Sequence, residues 1–440
     1  MELDKLIKNM IFYIIIFIVT LSIYYVDGIN SNSKVLISNM IIITFSLVFM
    51  VIGDRNNYSL NKIFMLFSFF FFGIAPAIQY QKGVVLWSYR YFSDDNYFKM
   101  NILIISLLVI YQLLYFLFSN TKNTKLERKI ITWSNSYKRI SHRKLLLVSL
   151  FSFLITMYVY NFSIANLIIR GGKTLITNQP LSLLYTNFIR PMPAICLFIF
   201  KTNNKKKINT EIVLWIIMLI TNFPTGAARF YVASLYIPIL IIYIKRINKS
   251  YLLFNKILMV GFMIIFPFLD QVRRITSLTE LTFSLDFRMF SQGHFDSYQM
   301  FMYAVVDNII TYGKQLVSAL LFFVPRSIWP GKSVGSGYLV ANYNNFYFSN
   351  VSMNYFGEGF INFGYLGVLL FAIIIAYLNA RFDKMFWLEL DKGSLLDVFY
   401  LQNLGLQFFY LRGDMLSGTS FVVGMFICLL FTYTVVSKKD

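Results

Sequence analysis

Gly357-Glu358-Gly359-Phe360-Ile361-Asn362-Phe363-Gly364-Tyr365-Leu366-Gly367 is where the long polar segment of this 440-residue chain gives way to an apolar helix. The segment before it, 271–364, also holds Pro325-Arg326-Ser327-Ile328-Trp329-Pro330-Gly331-Lys332 and interrupts a protein that is otherwise nearly all apolar. Hydrophobic residues make up 57% of the chain and charged residues 14%, against about 25% charged in ordinary soluble domains. That balance excludes a soluble enzyme and points to a polytopic membrane protein. A polar loop of this length in such a chain is where chemistry on a substrate outside the hydrocarbon can take place.

Crossing the hydrocarbon core takes about 20 mostly apolar residues. Candidate stretches lie at 9–26, 35–52, 63–79, 100–118, 145–161, 183–200, 212–223, 230–244, 257–270, 365–380, 395–411 and 416–436. The expected fold is therefore all-α: one transmembrane domain over 1–440 with about twelve membrane-spanning helices. Ile23-Tyr24-Tyr25-Val26-Asp27 follows the first stretch with no small-residue cleavage site, so that stretch reads as a retained anchor. Lys and Arg concentrate in cytoplasmic loops. With the N-terminus inside, most of the 40 basic residues fall in 1–8, 53–62, 119–144, 201–210, 245–256, 381–394 and 437–440. This orientation puts both termini in the cytoplasm and 271–364 outside as one large extracytoplasmic loop. The stretch 309–324, bracketed by Asp307, Lys314 and Pro325, reads as a re-entrant or interfacial helix; a crossing there would reverse everything after it.

The net charge of +20 follows from these scattered loops and calls for no nucleic acid. Its densest cluster, Lys122 to Lys144, reads as a topology anchor on anionic lipid headgroups. Cys196 and Cys428 fall inside expected spans, which argues against a disulfide framework or a cysteine metal site. The outer loops carry no HExxH, no paired carboxylates at ligand spacing and no DxD-like run, so no metal or other cofactor is expected. No Walker A sequence is present, which argues against an ATP-driven pump.

Arginines on the outer side need a reason other than topology. Arg170, Arg190, Arg229, Arg273, Arg274, Arg288, Arg326 and Arg412 fall there. A set of guanidinium forks suits a pyrophosphate at headgroup level; the competing reading is snorkelling, or pairing with Asp270, Asp286, Asp296 or Asp414. Glu358, between two glycines, suits a general base on a sugar hydroxyl or an acid complementing a helix N-terminus. His294 is the one histidine outside the cytoplasm in this orientation, either catalytic or merely solvated. Aromatic side chains from Trp329 to Phe356 alternate with Asn342, Asn344, Asn345, Asn350 and Asn354. Rings and amides of this kind can stack on sugars and bond their hydroxyls, although aromatic residues also favour the membrane interface.

Several short motifs, in this order, resemble the Wzy-type O-antigen and capsule polymerases. They are Gly73-Ile74-Ala75-Pro76, the Asn222-Phe223-Pro224 turn leading to Arg229, Pro325-Arg326-x-x-Trp329-Pro330-x-Lys332, the Gly-Glu run ending at Gly364, and Arg412-Gly413-Asp414. The resemblance covers most of the chain. It implies a multi-pass enzyme of the bacterial cytoplasmic (inner) membrane, with an architecture like that of lipid-dependent C-type glycosyltransferases. Such an enzyme moves a growing chain from undecaprenyl pyrophosphate onto a fresh lipid-linked repeat unit, without a metal. Arg229, Arg326 and Arg412, then Arg170 and Arg273, would hold the pyrophosphate. Glu358 would activate the acceptor, with His294 as a second catalytic candidate. Trp329, Lys332, Tyr355 and Asn362, within or beside the motifs, are glycan-contact candidates. Implied partners are undecaprenyl-pyrophosphate-linked oligosaccharides, the bilayer, a chain-length regulator and a flippase. Two alternatives are a flippase for the same lipid-linked unit and an O-antigen ligase. Ligases of similar layout place a histidine before the final Gly-x-x-Gly, whereas Ser352-Met353-Asn354-Tyr355 has none.

Overall fold

The computed structural model describes residues 12–14, 16, 28–169, 171–203, 207–265 and 287–439. Most of the first expected span, Arg170, Arg273 and the start of the polar segment lie outside the described residues. Eight helices are long and apolar enough to cross a membrane. They are α1 (Ser33–Ile52), α2 (Leu60–Gln81), α3 (Asp94–Asn120), α5 (His142–Val159), α6 (Gln179–Thr202), α7 (Ile208–Gly226), α13 (Tyr355–Leu388) and α15 (Met415–Val436). Between them lie α4 (Lys125–Asn135), α8 (Arg229–Tyr243), α9 (Leu253–Val260), α10 (Ser297–Val306), α11 (Lys314–Leu320), α12 (Ser336–Tyr343) and α14 (Leu395–Arg412).

The protein is thus a helical membrane protein with eight candidate spans among the described residues, fewer than the twelve expected. Of the four absent, 9–26 lies mostly and 257–270 partly outside the described residues, and the other two fall short for physical reasons. At 1.5 Å per residue, α8 is roughly 22 Å long, short of a core of about 30 Å. Gln402, Asn403 and Gln407, all buried, make α14 less apolar than its neighbours. Outside those twelve, the stretch 309–324 contains only the seven-residue α11, too short to cross. One antiparallel pairing of Tyr137–Ile140 with Ser437–Lys439 is the only strand structure among the described residues.

Helix starts follow local capping chemistry. Ser93 and Asn96 form a reciprocal capping box at α3, and Ser394 accepts from Asp397 N at α14. One carboxylate then joins four helices at one end of the bundle. Asp383 of α13 accepts from Leu60 N (2.8 Å) and Asn61 N (3.2 Å) in the first turn of α2, and from the hydroxyls of Tyr115 in α3 (2.9 Å) and Tyr400 in α14. At the same end Arg381 donates to both oxygens of Glu127 (Nε 2.7 Å, Nη2 2.6 Å) and to the carbonyl of Thr121 just past α3 (2.9 Å). At the far end of α2, the loop 82–93 meets α10, where Leu86 N donates to Gln299 (2.7 Å).

The run Gly357 to Gly367 does not form a straight continuation of a helix. Phe363 (φ −144°, ψ 23°) and Gly364 (φ 62°, ψ −149°) break α13, the latter in a region open to glycine alone. The arms 355–362 and 365–388 fold against each other. A Cβ on Gly367 would lie 1.9 Å from the Gly359 carbonyl oxygen, and the Tyr355 and Phe371 rings stand 5.0 Å apart. Along a straight helix those two rings would be separated by roughly 24 Å. Loop amides complete the turn: Thr311 N and Gly313 N donate to the carbonyls of Ile361 (2.6 Å) and Asn362 (2.9 Å). The helix therefore begins at Tyr355, ten residues before the expected span at 365, and its first arm is a short buried helix of its own.

Two outcomes follow. Gly367→Val forces the arms apart and should abolish monodisperse protein on size exclusion in detergent, whereas Val368→Ile nearby should not. The Arg381 guanidinium, with help from Thr124, holds the Glu127 carboxyl down at about 2. Since the folded value lies below the unfolded one, this stabilisation is complete at neutral pH and is lost as pH falls from about 5 toward 2. Glu127→Gln should remove about 3 kcal/mol at pH 7 and flatten the acid side of the thermal midpoint measured against pH.

Candidate functional site

Gly293-His294-Phe295 forms a tight turn before α10 and delivers Asp296 to its N-terminus. Asp296 is 1% exposed. Its carboxylate accepts from Arg412 Nη2 (3.0 Å), Trp87 Nε1 (3.2 Å), Ser352 N (3.2 Å) and the Ser352 hydroxyl. Arg412 also donates to the carbonyls of His294 (Nε, 2.9 Å) and Gly293 (Nη2, 2.9 Å) and lies over the Phe230 ring at 5.2 Å. Trp87 packs directly on Gly293, where a Cβ would fall 2.0 Å from the indole. Arg412 at the end of α14 is therefore a paired, half-enclosed cation.

The turn after Arg412 leads to a second carboxylate. Asp414 caps α15 by accepting from Ser417 N (3.0 Å), and Met415 N donates to Glu358 Oε1 (2.7 Å). The Ser336 hydroxyl at the start of α12 donates to Glu358 Oε2 (2.7 Å). Glu358 is 1% exposed, with both oxygens engaged. It sits in the first turn of α13 and against the first turn of α15.

The chain entering α12 carries the remaining cations. Arg326 donates to the carbonyls of Lys332 (2.6 Å) and Ser333 (2.9 Å), and the Lys332 ammonium to those of Phe322 (2.6 Å) and Val324 (2.9 Å). This closes 322–333 into a compact knot, tied to α11 by Ser333 N donating to the Ser318 hydroxyl (3.0 Å). Among the described residues neither cation meets a carboxylate. Burial lowers the Lys332 pKa, and the nearby Arg326 charge lowers it further. Arg326 remains exposed at the surface.

Glu358 and Arg412 flank the Gly413–Asp414 turn, and the 322–333 knot that carries Arg326 and Lys332 leads into Ser336, whose hydroxyl meets Glu358; His294 contributes its carbonyl to Arg412. Arg229 opens α8, one residue before the Phe230 ring beneath Arg412. Trp329 is half-buried in the 322–333 knot. Tyr355 and Asn362 serve the hairpin: Tyr355 packs on Phe371, while Asn362 accepts from Leu316 N (2.8 Å) and donates to the Glu358 carbonyl (2.9 Å). Buried Arg190 donates to the Thr221 carbonyl (2.9 Å) at the end of the helical turns of α7 and lies over Tyr160 and Tyr231. Trp87 and Ser336 escape a sequence reading because their partners lie 209 and 22 residues away and neither belongs to a motif. Among the described residues no group of three or more His, Cys, Asp or Glu side chains is placed to hold a metal ion.

Arg412→Ala leaves Asp296 buried without its cation and should cost about 3–5 kcal/mol, read as a lowered thermal midpoint in detergent. Adding Asp296→Asn should restore part of that loss, and a double-variant cycle gives the coupling. Protein-family models, curated proteins and solved structures all fail to match this chain, so its own geometry carries the functional reading.

Proposed function

We propose that this protein is a membrane glycosyltransferase that polymerises undecaprenyl-pyrophosphate-linked oligosaccharide repeat units into a surface polysaccharide. The observation that supports this most is the buried Glu358 set against the turn after Arg412 and joined through Ser336 to the segment that carries Arg326 and Lys332, at the end of the bundle assigned to the outside. A leaving pyrophosphate needs cations aimed where charge develops, and the acceptor hydroxyl needs a base within hydrogen-bond reach. In this reading Arg326 and Lys332 meet the pyrophosphate, joined by Arg229 and by Arg170 and Arg273. Arg412 fixes the turn through Asp296.

The transfer balances simply. The bond from the growing chain's reducing-end carbon to the pyrophosphate oxygen breaks, and its electrons leave with the pyrophosphate. The acceptor hydroxyl oxygen forms the new glycosidic bond, and its proton passes to Glu358. The acceptor hydroxyl reaches Glu358 by displacing the Ser336 hydroxyl, now 2.7 Å from Oε2.

Deleting the gene should leave single repeat units on their final carrier and remove long chains. Glu358→Gln should slow chain extension about 10²–10⁴-fold, and Arg326→Ala should shorten or abolish the polymer while protein level stays normal. Both are read from the polysaccharide ladder on a gel. Repeat units accumulating on the inner leaflet would indicate transport instead. Long polymer retained on the undecaprenyl carrier would indicate ligation. A normal ladder from Arg326→Ala would remove Arg326 from the site.

A further inference from the structure

The loop 82–93 and the chain after α12 come together at the same end of the bundle, away from Glu358. Tyr347 N donates to the Trp87 carbonyl (3.3 Å). Arg90 donates to both oxygens of Asp307 (2.6 and 2.8 Å) and to Asn344 Oδ1 (3.1 Å), which fixes one loop on the other. The Trp87 ring lies 4.9 Å from Phe348, and the Tyr89 ring 6.5 Å from Tyr347. Between them open two clefts of about 330 and 290 Å³ that share Asn345. The first is walled by Trp87, Tyr89 and Tyr347, the second by Tyr338, Asn342 and Phe346.

Three features separate this surface from an ordinary belt of interfacial aromatics. Its rings converge on one another across a concave surface, whereas belt residues stand at the headgroup level as anchors. Tyr89 is fully exposed and Tyr347 is 70% exposed, yet both rings face the same cleft. Trp87 (φ 70°) and Asn345 (φ 51°) are held in left-handed backbone conformations, which for a tryptophan is rare and requires surroundings that enforce it. The Asn342 and Asn345 side chains make no hydrogen bond among the described residues, so their amides are open to a ligand. Arg90, the one cation among the described residues that line the clefts, is paired with Asp307, so the surface does not select an anion.

We propose that the two clefts form a binding groove for a neutral stretch of oligosaccharide, with pyranose faces stacking on Tyr89 and Tyr347 and hydroxyls bonding Asn342 and Asn345. Flat rings with adjacent amides supply the apolar face and the donor–acceptor pairs that a sugar presents. Identifying this stretch as the glycan part of the lipid-linked substrate, held beyond the transfer site, rests on the function proposed above.

The test uses the full chain purified in detergent and oligosaccharides of one to three repeat units, released by mild acid from the producing cell's own surface polysaccharide. Saturation-transfer NMR and tryptophan fluorescence report binding to the parent protein and to a Tyr89→Ala/Tyr347→Ala double variant. Both tyrosines are exposed, so folding should survive, as checked by the thermal midpoint. The variant should bind at least tenfold more weakly, and in cells its ladder should shift to shorter chains while single additions continue. Equal binding and an unchanged ladder would overturn the groove. If gene deletion leaves the polymer intact but the variant still loses oligosaccharide binding, the polymerase reading falls and the groove stands. If deletion abolishes polymer while the variant binds and extends as the parent does, the groove falls and the polymerase reading stands.

Discussion

The close passage of Gly359 against Gly367 sets the position of everything at the functional end of this protein. Any Cβ at either residue would meet the other's carbonyl, so the two arms of α13 can approach only as bare backbone. Their approach puts Asn354 where it donates to the Ser297 carbonyl (2.6 Å) and caps α13 through Gly357 N (2.9 Å). It also puts Glu358 against the first turn of α15. A straight helix through this stretch would carry Tyr355 and Glu358 away from α10 and out of the bundle. Backbone shape, ahead of side-chain chemistry, decides which groups meet.

The two ends of the bundle handle charge differently. At one end Asp383, Glu127 and Arg381 are buried and fully engaged with helix termini and with one another, an arrangement suited to holding helices together. At the other end Asp296 and Arg412 form a similar pair, but Arg326 and Lys332 are held by main-chain carbonyls. A cation bonded only to neutral oxygens keeps its charge available to an incoming anion. That difference supports assigning chemistry to the second end.

Much of the membrane fold was legible from apolar run length: seven expected spans from 35–52 to 212–223 and at 416–436 correspond closely to helices. The hairpin was not, because apolar content does not reveal that Phe363-Gly364 reverses the chain. Only the glycine spacing hinted at a close approach, and the same glycines suit a flexible loop. Arg412 and Glu358 stood out from local sequence, yet Asp296 was visible only as one of four acids that could pair with an arginine. Trp87 was invisible, since nothing near it in sequence signals a partner more than two hundred residues away.

Trp87 also ties two places into one mechanical unit. Its indole N–H holds Asp296, its ring presses on Gly293 beneath Arg412, and its carbonyl holds the backbone of Tyr347. A ligand that fastens Tyr347 restrains Trp87, and Trp87 in turn restrains the carbonyls that cradle Arg412. Coupling between two equilibria is reciprocal, so if both places bind as proposed, a substrate at the Arg412 turn and a glycan at Tyr347 would bear on each other through this one residue. On the function proposed above, one strained tryptophan would join holding to reacting, the property by which an enzyme keeps hold of a lengthening product.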